Sequence, residues 1–232
     1  MTPLPAASLL VVRDGPAGIE VIMGRRPSAA VFGGLWVFPG GKVDQGDRLA
    51  GYEAWDEGDL VWRLAALRET LEEVGVAFTE PAELEPIADH LHGSVVHDAI
   101  AAVGGRFAVE KLRLVSNWVT PDGVPARFDT RFYLVVAEGD VDPRPRHEFE
   151  ESRWLSAAEA LAGAEDGSIP MILPTRAHLE FLTGFPGVDD VVRSLEAMTS
   201  VPRIEPTMVV EDGSVVVTVG GDPRFETDGD RP

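Results

Sequence analysis

A helical pattern of apolar residues between positions 60 and 74 is the clearest regular pattern in the chain. Its members lie three or four positions apart, as the buried stripe of an α-helix requires: Leu60, Leu64, Leu67, Leu71 and Val74. Glu69, Glu72 and Glu73 fall at positions i, i+3 and i+4, which places them within one turn on the opposite face. We therefore predict an amphipathic helix, N-capped by Asp59, with three carboxylates on its polar face.

Shorter hydrophobic runs along the rest of the chain predict further strands and helices. Strands are predicted at Ala6–Val12, Ile19–Met23, Trp36–Phe38, Leu112–Val119, Arg131–Ala137 and Ser152–Leu155. Helices are predicted at Val95–Val103, Ala157–Ala162, Thr175–Leu182 and Val188–Met198. Residues Thr207–Val219 are predicted to form a hairpin around an Asp212-Gly213 turn. This order of elements is typical of an α+β fold.

The composition excludes several classes of function. The 232 residues carry a formal net charge of −19, so we expect no nucleic-acid partner bound through a general basic surface. The chain has no cysteine, which rules out disulfides, thiolate metal ligands and thiol nucleophiles. It has no apolar run of about 18 residues, and its N-terminus lacks a basic region followed by an apolar segment. We therefore expect no membrane partner, and we expect the protein to be cytoplasmic.

The five histidines have no spacing typical of a zinc site. They are His90, His92, His97, His147 and His178. His90 and His92 would share one face of a strand, but a third ligand is not apparent. We therefore expect these histidines to lie at the surface.

The glutamates on the helix indicate a metal site. Three carboxylates within one turn repel one another, and a hard divalent cation relieves that repulsion. The alternative is a solvated glutamate-rich face, which is common on amphipathic helices. The preceding sequence favours the metal, because Phe38-Pro39-Gly40-Gly41 is followed by Asp44 and Asp47. Neither glycine has a Cβ, so this backbone can approach a bound anion or metal closely.

These residues resemble the signature of the Nudix hydrolases, in which Gly, five residues, Glu and seven residues precede Arg-Glu-x-x-Glu-Glu-x-Gly. Gly41 fits the first position, Asp47 stands where glutamate is usual, and residues 68–75 match without a break. Twenty residues, 48–67, replace the usual seven, and segment 48–59 is predicted to be a polar surface insert. The resemblance implies an α/β/α sandwich in which the glutamate-rich helix packs on a mixed sheet.

The resemblance also implies hydrolysis of a small-molecule diphosphate with Mg²⁺ or Mn²⁺ as cofactor. The implied metal ligands are Glu69, Glu72, Glu73 and the Gly41 carbonyl. Arg68 is expected to act in catalysis by orienting the glutamates through a bidentate ion pair. A general base is also needed. The candidates for this base are Glu69, Glu148, Glu150 and Glu151, and the sequence does not choose among them.

Two further blocks resemble particular Nudix branches. Arg25, Gly34 and Phe38-Pro39-Gly40-Gly41 resemble the motif of coenzyme A diphosphatases, although Ala30 stands where that motif has a second arginine. Residues 118–121 and 127–133 resemble segments of a long-insert branch that includes mammalian peroxisomal acyl-coenzyme A diphosphatases. The resemblance implies coenzyme A or an acyl-coenzyme A as substrate. The expected substrate-binding residues are Arg25, Gly40, Gly41, Arg127 and Arg131.

Alternatives remain for the substrate, the turnover and the arginines. Another nucleotide diphosphate, such as a nucleotide sugar, a dinucleotide or a nucleoside triphosphate, is the rival substrate. A nucleotide-sensing module without turnover is the rival from another class. Arg127 and Arg131 alternate with Asp129 as in a half-buried strand, so they could instead form structural ion pairs.

The predicted organisation is one catalytic domain with an extension. Residues 1–182 form the Nudix domain, residues 183–226 form a helix and hairpin extension, and residues 227–232 form a disordered tail. A lone hairpin is marginally stable, so it must pack on the body or on a second copy of the chain. A homodimer is therefore a candidate assembly.

Overall fold

The computed structural model describes residues 2–29, 33–47, 52, 55–81, 92–124, 126–146, 148–211 and 214–219. The strands are β1 (Leu4–Gly15), β2 (Gly18–Arg25), β3 (Trp36–Val37), β4 (Gly40–Lys42), β5 (Thr79–Glu80), β6 (Arg106–Phe107), β7 (Arg113–Val119), β8 (Phe128–Val136), β9 (Glu151–Ser156), β10 (Arg203–Ile204), β11 (Thr207–Glu211) and β12 (Ser214–Thr218). The helices are α1 (Glu57–Val74), α2 (Ser94–Ala102), α3 (Ala157–Asp166), α4 (Leu173–Thr183) and α5 (Val188–Glu196).

Among the described residues, eight strands form one mixed sheet built around β1. The strand order is β10-β7-β8-β1-β2-β3, with β4 added to β1 and β9 added to β2. β1 runs parallel to β8 and antiparallel to β2 and β4. The first half of β1 pairs with β4, where Ala7 lies opposite Gly41, and the second half pairs with β2. The glycine strand is thereby fixed to the centre of the sheet.

Side chains that alternate along β1 supply a hydrophobic core on each face of the sheet. Leu9 and Val11 pack with α1 and α2, whereas Leu10 and Val12 pack with α3, α4 and α5. Helices therefore cover both faces. The structure confirms the predicted α+β class and the sandwich of helix, mixed sheet and helix layers.

Helix α1 begins earlier than the sequence predicted. Its N-cap is Asp56, whose carboxylate accepts a hydrogen bond from the Gly58 N–H at 3.1 Å, so the predicted Asp59 N-cap is wrong. Asp59 instead accepts bonds from Arg131 and the Tyr133 hydroxyl of β8, at 2.9 and 2.8 Å. The predicted apolar stripe is confirmed, since all five of its members are buried. Half of the 48–59 insert, residues 48–51, 53 and 54, lies outside the described residues.

The C-terminal elements pack on the same core as the central sheet. Val191 and Leu195 of α5 and Ile204 of β10 join the cluster that contains Leu10 and Val12. β11 and β12 form a two-stranded antiparallel sheet, which confirms the predicted hairpin pairing. Its turn residues 212–213 and the tail 227–232 lie outside the described residues. None of the described helices combines the length and apolarity that a bilayer-spanning segment requires.

Two histidines are buried, so the expected surface position is wrong for them. His97 is 2% exposed and His178 is fully buried, because each ring is held by polar partners inside the protein. His178 Nδ1 donates to the Pro174 carbonyl at 2.6 Å, and Nε2 accepts from the Ser116 hydroxyl at 2.7 Å. Burial lowers the pKa of His178 to about 4. His90 and His147 lie outside the described residues.

The buried His178 should make stability fall as the pH drops from about 6.5 towards 4. Over this range the unfolded chain takes up a proton at His178 that the folded chain does not bind. At pH 5 the expected loss is about 2 kcal/mol of unfolding free energy. Urea denaturation at pH 7 and pH 5 measures this loss.

Two variants separate His178 from the carboxylates that also titrate in acid. His178→Gln should lose this part of the pH dependence, whereas His92→Gln, at an exposed position, should keep it. Equal pH dependence in the parent chain and His178→Gln would contradict the assignment.

Candidate functional site

The last turns of α1 hold a buried carboxylate against the glycine strand β4. Glu73 is 2% exposed, and its Oε2 accepts a hydrogen bond from the Gly40 N–H at 2.8 Å. Its Oε1 is also buried and accepts no hydrogen bond. Burial raises the pKa of Glu73 well above its usual value, and the charge of Glu69 adds to the rise. An acceptor without a donor is costly inside a protein, so this oxygen is suited to a cation.

Both glycines of β4 are required by close packing. A Cβ on Gly40 would lie 2.4 Å from the Ala7 carbonyl oxygen of β1. A Cβ on Gly41 would lie 2.3 Å from Glu69 Oε1. The Phe-Pro-Gly-Gly turn thus lets a backbone strand lie between β1 and the carboxylates of α1.

Arg68 gathers the acidic groups around one buried guanidinium. Its Nε and Nη2 donate to the two carboxylate oxygens of Asp47 at 2.8 and 3.1 Å. Its Nη1 donates to Glu69 at 2.9 Å and to Glu72 at 3.3 Å. The bidentate partner is therefore Asp47 rather than a helix glutamate, and each glutamate receives a single bond. Arg68 is placed to orient Glu69 and Glu72 relative to each other.

Asp47 is fully buried beneath this arginine and bound by a residue that sequence reasoning missed. His97 Nε2 of α2 lies 3.0 Å from Asp47 Oδ1, and the Asp44 N–H donates to Oδ2 at 2.6 Å. Burial opposes the charge on Asp47, but the bonds from His97 and Arg68 outweigh it and hold its pKa below the usual value. A buried histidine in a helix outside the signature has no sequence pattern that reveals it.

Glu69 and Glu72 complete the acidic face. Burial raises the pKa of Glu69 to about 7; Arg68 opposes this rise, whereas Glu72 and Glu148 add to it. Glu72 Oε1 accepts from the Gly93 N–H at 2.8 Å, just before α2. The start of α2 therefore borders the carboxylate cluster.

These side chains line a cavity of about 350 Å³. The lining residues are Glu69, Glu72, Glu73, His92 and Glu148. Within the described part of the chain, no three acidic or histidine side chains already converge on a single metal position. Arg68 Nη1 binds one oxygen of Glu69 and one of Glu72. Carboxylate oxygens and the unbonded Glu73 Oε1 fit a hard divalent cation, provided that these side chains rotate towards it.

Arg26 contacts two of the carboxylates that line the cavity, and the sequence analysis did not single it out. Its Nη2 lies 2.9 Å from Glu148 Oε2 and 3.8 Å from Glu73 Oε1. It therefore joins a carboxylate of the loop after β8 to the buried carboxylate of α1. The available indication was a second arginine directly after Arg25, three positions beyond the predicted strand Ile19–Met23.

The structure brings Glu148 to the cavity but places Glu150 and Glu151 beside it. Arg25 lies 3.4 Å from Glu150 and 3.6 Å from Glu151, at the end of the β2–β9 pairing. None of these three residues lines the described cavity.

Arg127 and Arg131 contact structural partners at other places in the fold. Arg127 donates to the Thr120 carbonyl at 2.9 Å and to Glu205 at 3.0 Å, so it fastens the segment after β10. Arg131 pairs with Asp59 at 2.9 Å, ten residues before Glu69, which is about 15 Å along the helix. These contacts form the structural ion pairs that the sequence left open as the alternative.

A family model described as NUDIX domain matches residues 2–173. The chain belongs to the Nudix family. It is 30% identical over 167 residues to nudix hydrolase 7 of Caenorhabditis elegans, which is 67% of this chain and 52% of that protein. The chain thus spans about half the length of this curated relative.

A solved Nudix structure supports the assignment of the fold. The crystal structure of a NUDIX hydrolase from Alicyclobacillus acidocaldarius is 31% identical and superposes with a TM-score of 0.75. The match covers 84% of this chain and 97% of that one. The carboxylate cavity therefore lies within a well-matched Nudix fold.

The packing of Gly41 against Glu69 generates a test of the site. Gly41→Ala should weaken Mn²⁺ binding about tenfold, because the new methyl group forces the Glu69 carboxylate away from β4. The melting temperature should change little, since a flexible side-chain end can move aside. Gly58→Ala is the matched control, because its methyl group would lie 3.4 Å from Asp56 at the start of α1. Calorimetric Mn²⁺ titration measures both, and undiminished binding by Gly41→Ala would contradict the geometry.

Proposed function

We propose that the chain is a Nudix pyrophosphohydrolase that hydrolyses a nucleoside diphosphate linked to another group. The observation that supports this proposal most directly is the buried carboxylate cluster of Glu69, Glu72 and Glu73 at one cavity. Glu73 Oε1 is buried there without a hydrogen-bond donor. A cluster of this kind is costly unless a cation joins it.

The proposed metal ligands are Glu69, Glu72, Glu73 and the Gly41 carbonyl. A bound Mg²⁺ or Mn²⁺ would supply charge neutralisation at the phosphate oxygens and a lower pKa for water. Arg68 remains the buried counter-charge and keeps Glu69 and Glu72 next to each other. Asp47 positions Arg68 through two hydrogen bonds, and His97 in turn contacts Asp47.

Glu148 is the general base that we favour. It lines the cavity, its side chain is 61% exposed, and Arg26 Nη2 lies 2.9 Å from its carboxylate. Water can therefore reach it, which a base that accepts a proton from water requires. Glu69 is the alternative, because its pKa of about 7 suits proton transfer at neutral pH.

The substrate that we propose is coenzyme A or an acyl-coenzyme A, which would yield 3′,5′-ADP and phosphopantetheine or its acyl derivative. The support is the resemblance of residues 21–41, 118–121 and 127–133 to that branch of the family. Ala30 in place of the second arginine favours including other nucleotide diphosphates in any test.

Glu73→Gln tests the proposed chemistry. Turnover should fall about 100-fold or more, because the amide is a poor ligand for a divalent cation. The unfolding free energy should be unchanged or higher at neutral pH, since burial makes the charged form of Glu73 unfavourable. Glu165→Gln is the matched control, because it removes the same charge from an exposed side chain of α3.

The assay is a panel of diphosphates with Mg²⁺ and with Mn²⁺, in which products are resolved by chromatography. The panel contains coenzyme A, an acyl-coenzyme A, a nucleotide sugar, a dinucleotide and a nucleoside triphosphate. The parent chain and Glu165→Gln should cleave coenzyme A or its acyl derivative fastest. Full turnover by Glu73→Gln would refute the metal assignment, and binding without any turnover would favour a sensing module.

A further inference from the structure

Arg26 is held beside the cavity carboxylates Glu73 and Glu148 by its backbone as well as by its side chain. Its N–H donates to the Leu35 carbonyl at 3.0 Å, and its carbonyl accepts from the Gly34 N–H at 2.9 Å. These two bonds close the connection between β2 and β3. The backbone from which the Arg26 side chain extends is therefore fixed beside these carboxylates.

The two arginines that contact the cavity carboxylates differ in their burial and in the number of their hydrogen bonds. Arg68 is 3% exposed and bonds to Asp47, Glu69, Glu72 and the Lys42 carbonyl. Arg26 is 20% exposed, and its described carboxylate partners are Glu148 at 2.9 Å and Glu73 at 3.8 Å. The Glu73 contact is too long for a hydrogen bond. The one hydrogen-bond-length ion pair that Arg26 makes is to the exposed carboxylate of Glu148, whereas the partners of Arg68 are buried carboxylates, so moving Arg26 costs less than moving Arg68.

A divalent cation and Arg26 compete for the same carboxylate. The Glu73 oxygen nearest Arg26 is Oε1, the atom that accepts no hydrogen bond. A cation bound there would repel the guanidinium, which would remain tethered at the cavity by its backbone. A diphosphate that enters the cavity offers Arg26 a replacement anion, and a planar guanidinium binds phosphate oxygens in bidentate fashion.

We propose that Arg26 is a substrate-binding residue that exchanges Glu73 for the diphosphate group of the substrate when a divalent cation is bound. This inference rests on the proposed function and extends it, because it supplies a phosphate-binding cation in a chain that lacks the second arginine at position 30. The ligand class is a nucleoside diphosphate or its ester, recognised through the diphosphate group.

The test uses two binding measurements whose expected changes have opposite sign. Arg26→Ala should bind Mn²⁺ alone about three- to tenfold more tightly, because a competing positive charge is removed. Removal of the arginine charge also favours a proton on the carboxylate. It favours Mn²⁺ more strongly, because the divalent ion carries twice the charge of a proton, so the gain in Mn²⁺ affinity remains. The same variant, saturated with Mn²⁺, should bind a methylene-bridged analogue of ADP about tenfold more weakly. Manganese paramagnetic resonance and calorimetry provide the two affinities.

Two further variants control for charge and for folding. Arg193→Ala removes an arginine from the exposed surface of α5, and it should leave both affinities unchanged. Arg26→Lys keeps the charge but not the planar fork, so its Mn²⁺ affinity should stay near that of the parent chain. Its affinity for the ADP analogue should fall between those of the parent chain and Arg26→Ala.

The outcomes separate this inference from the proposed function. If both affinities of Arg26→Ala fall together, or if neither changes, the inference is overturned. Opposite changes together with no turnover of any diphosphate by the parent chain would support Arg26 and refute the proposed function. Turnover by the parent chain without opposite changes would support the function and refute the role of Arg26.

Discussion

The buried guanidinium of Arg68 makes it possible for several carboxylates to lie close together in this site. Arg68 is the positive charge around which Asp47, Glu69 and Glu72 are gathered, and all four side chains are largely removed from water. If Arg68 were absent, Asp47 would be a fully buried carboxylate without its main counter-charge, which costs about 3–5 kcal/mol. The signature arginine is therefore a structural requirement of α1 as much as a chemical one.

This constraint connects distant parts of the chain to the cavity. Asp47 ends the glycine segment, His97 comes from α2, and Gly93 just before α2 donates to Glu72. The sheet contributes β4, whose two glycines allow the backbone to lie between β1 and Glu69. Arg68 already binds Glu69 and Glu72, so the carboxylate oxygen left without a hydrogen-bond donor is Glu73 Oε1, beside Arg26. The site thus consists of a buried group around Arg68 and Asp47 and of carboxylates that face the cavity.

The sequence predicted the parts that depend on local patterns and missed those that depend on distant partners. The stripe of α1 and the long strands follow from hydrophobic spacing, whereas the short strands β4 and β10 show no hydrophobic pattern of their own. Asp56 and Asp59 are both residues of the type that caps a helix. In the structure Asp59 binds Arg131 and Tyr133, more than seventy positions away, and Asp56 is the N-cap. Arg26 and His97 were missed because only tertiary contacts bring them to the carboxylates.

The central claim is that folding buries a carboxylate oxygen of Glu73 without a hydrogen-bond donor and that a divalent cation relieves this cost. Differential scanning calorimetry of the parent chain with and without Mn²⁺ tests this claim without any assumption about substrate. At about 100 times the dissociation constant, linkage predicts a gain of about 2.7 kcal/mol, or roughly 5–10 °C in melting temperature. The increase should disappear in Glu73→Gln and persist in Glu165→Gln. A melting temperature that does not respond to Mn²⁺, or that responds equally in Glu73→Gln, would contradict the account.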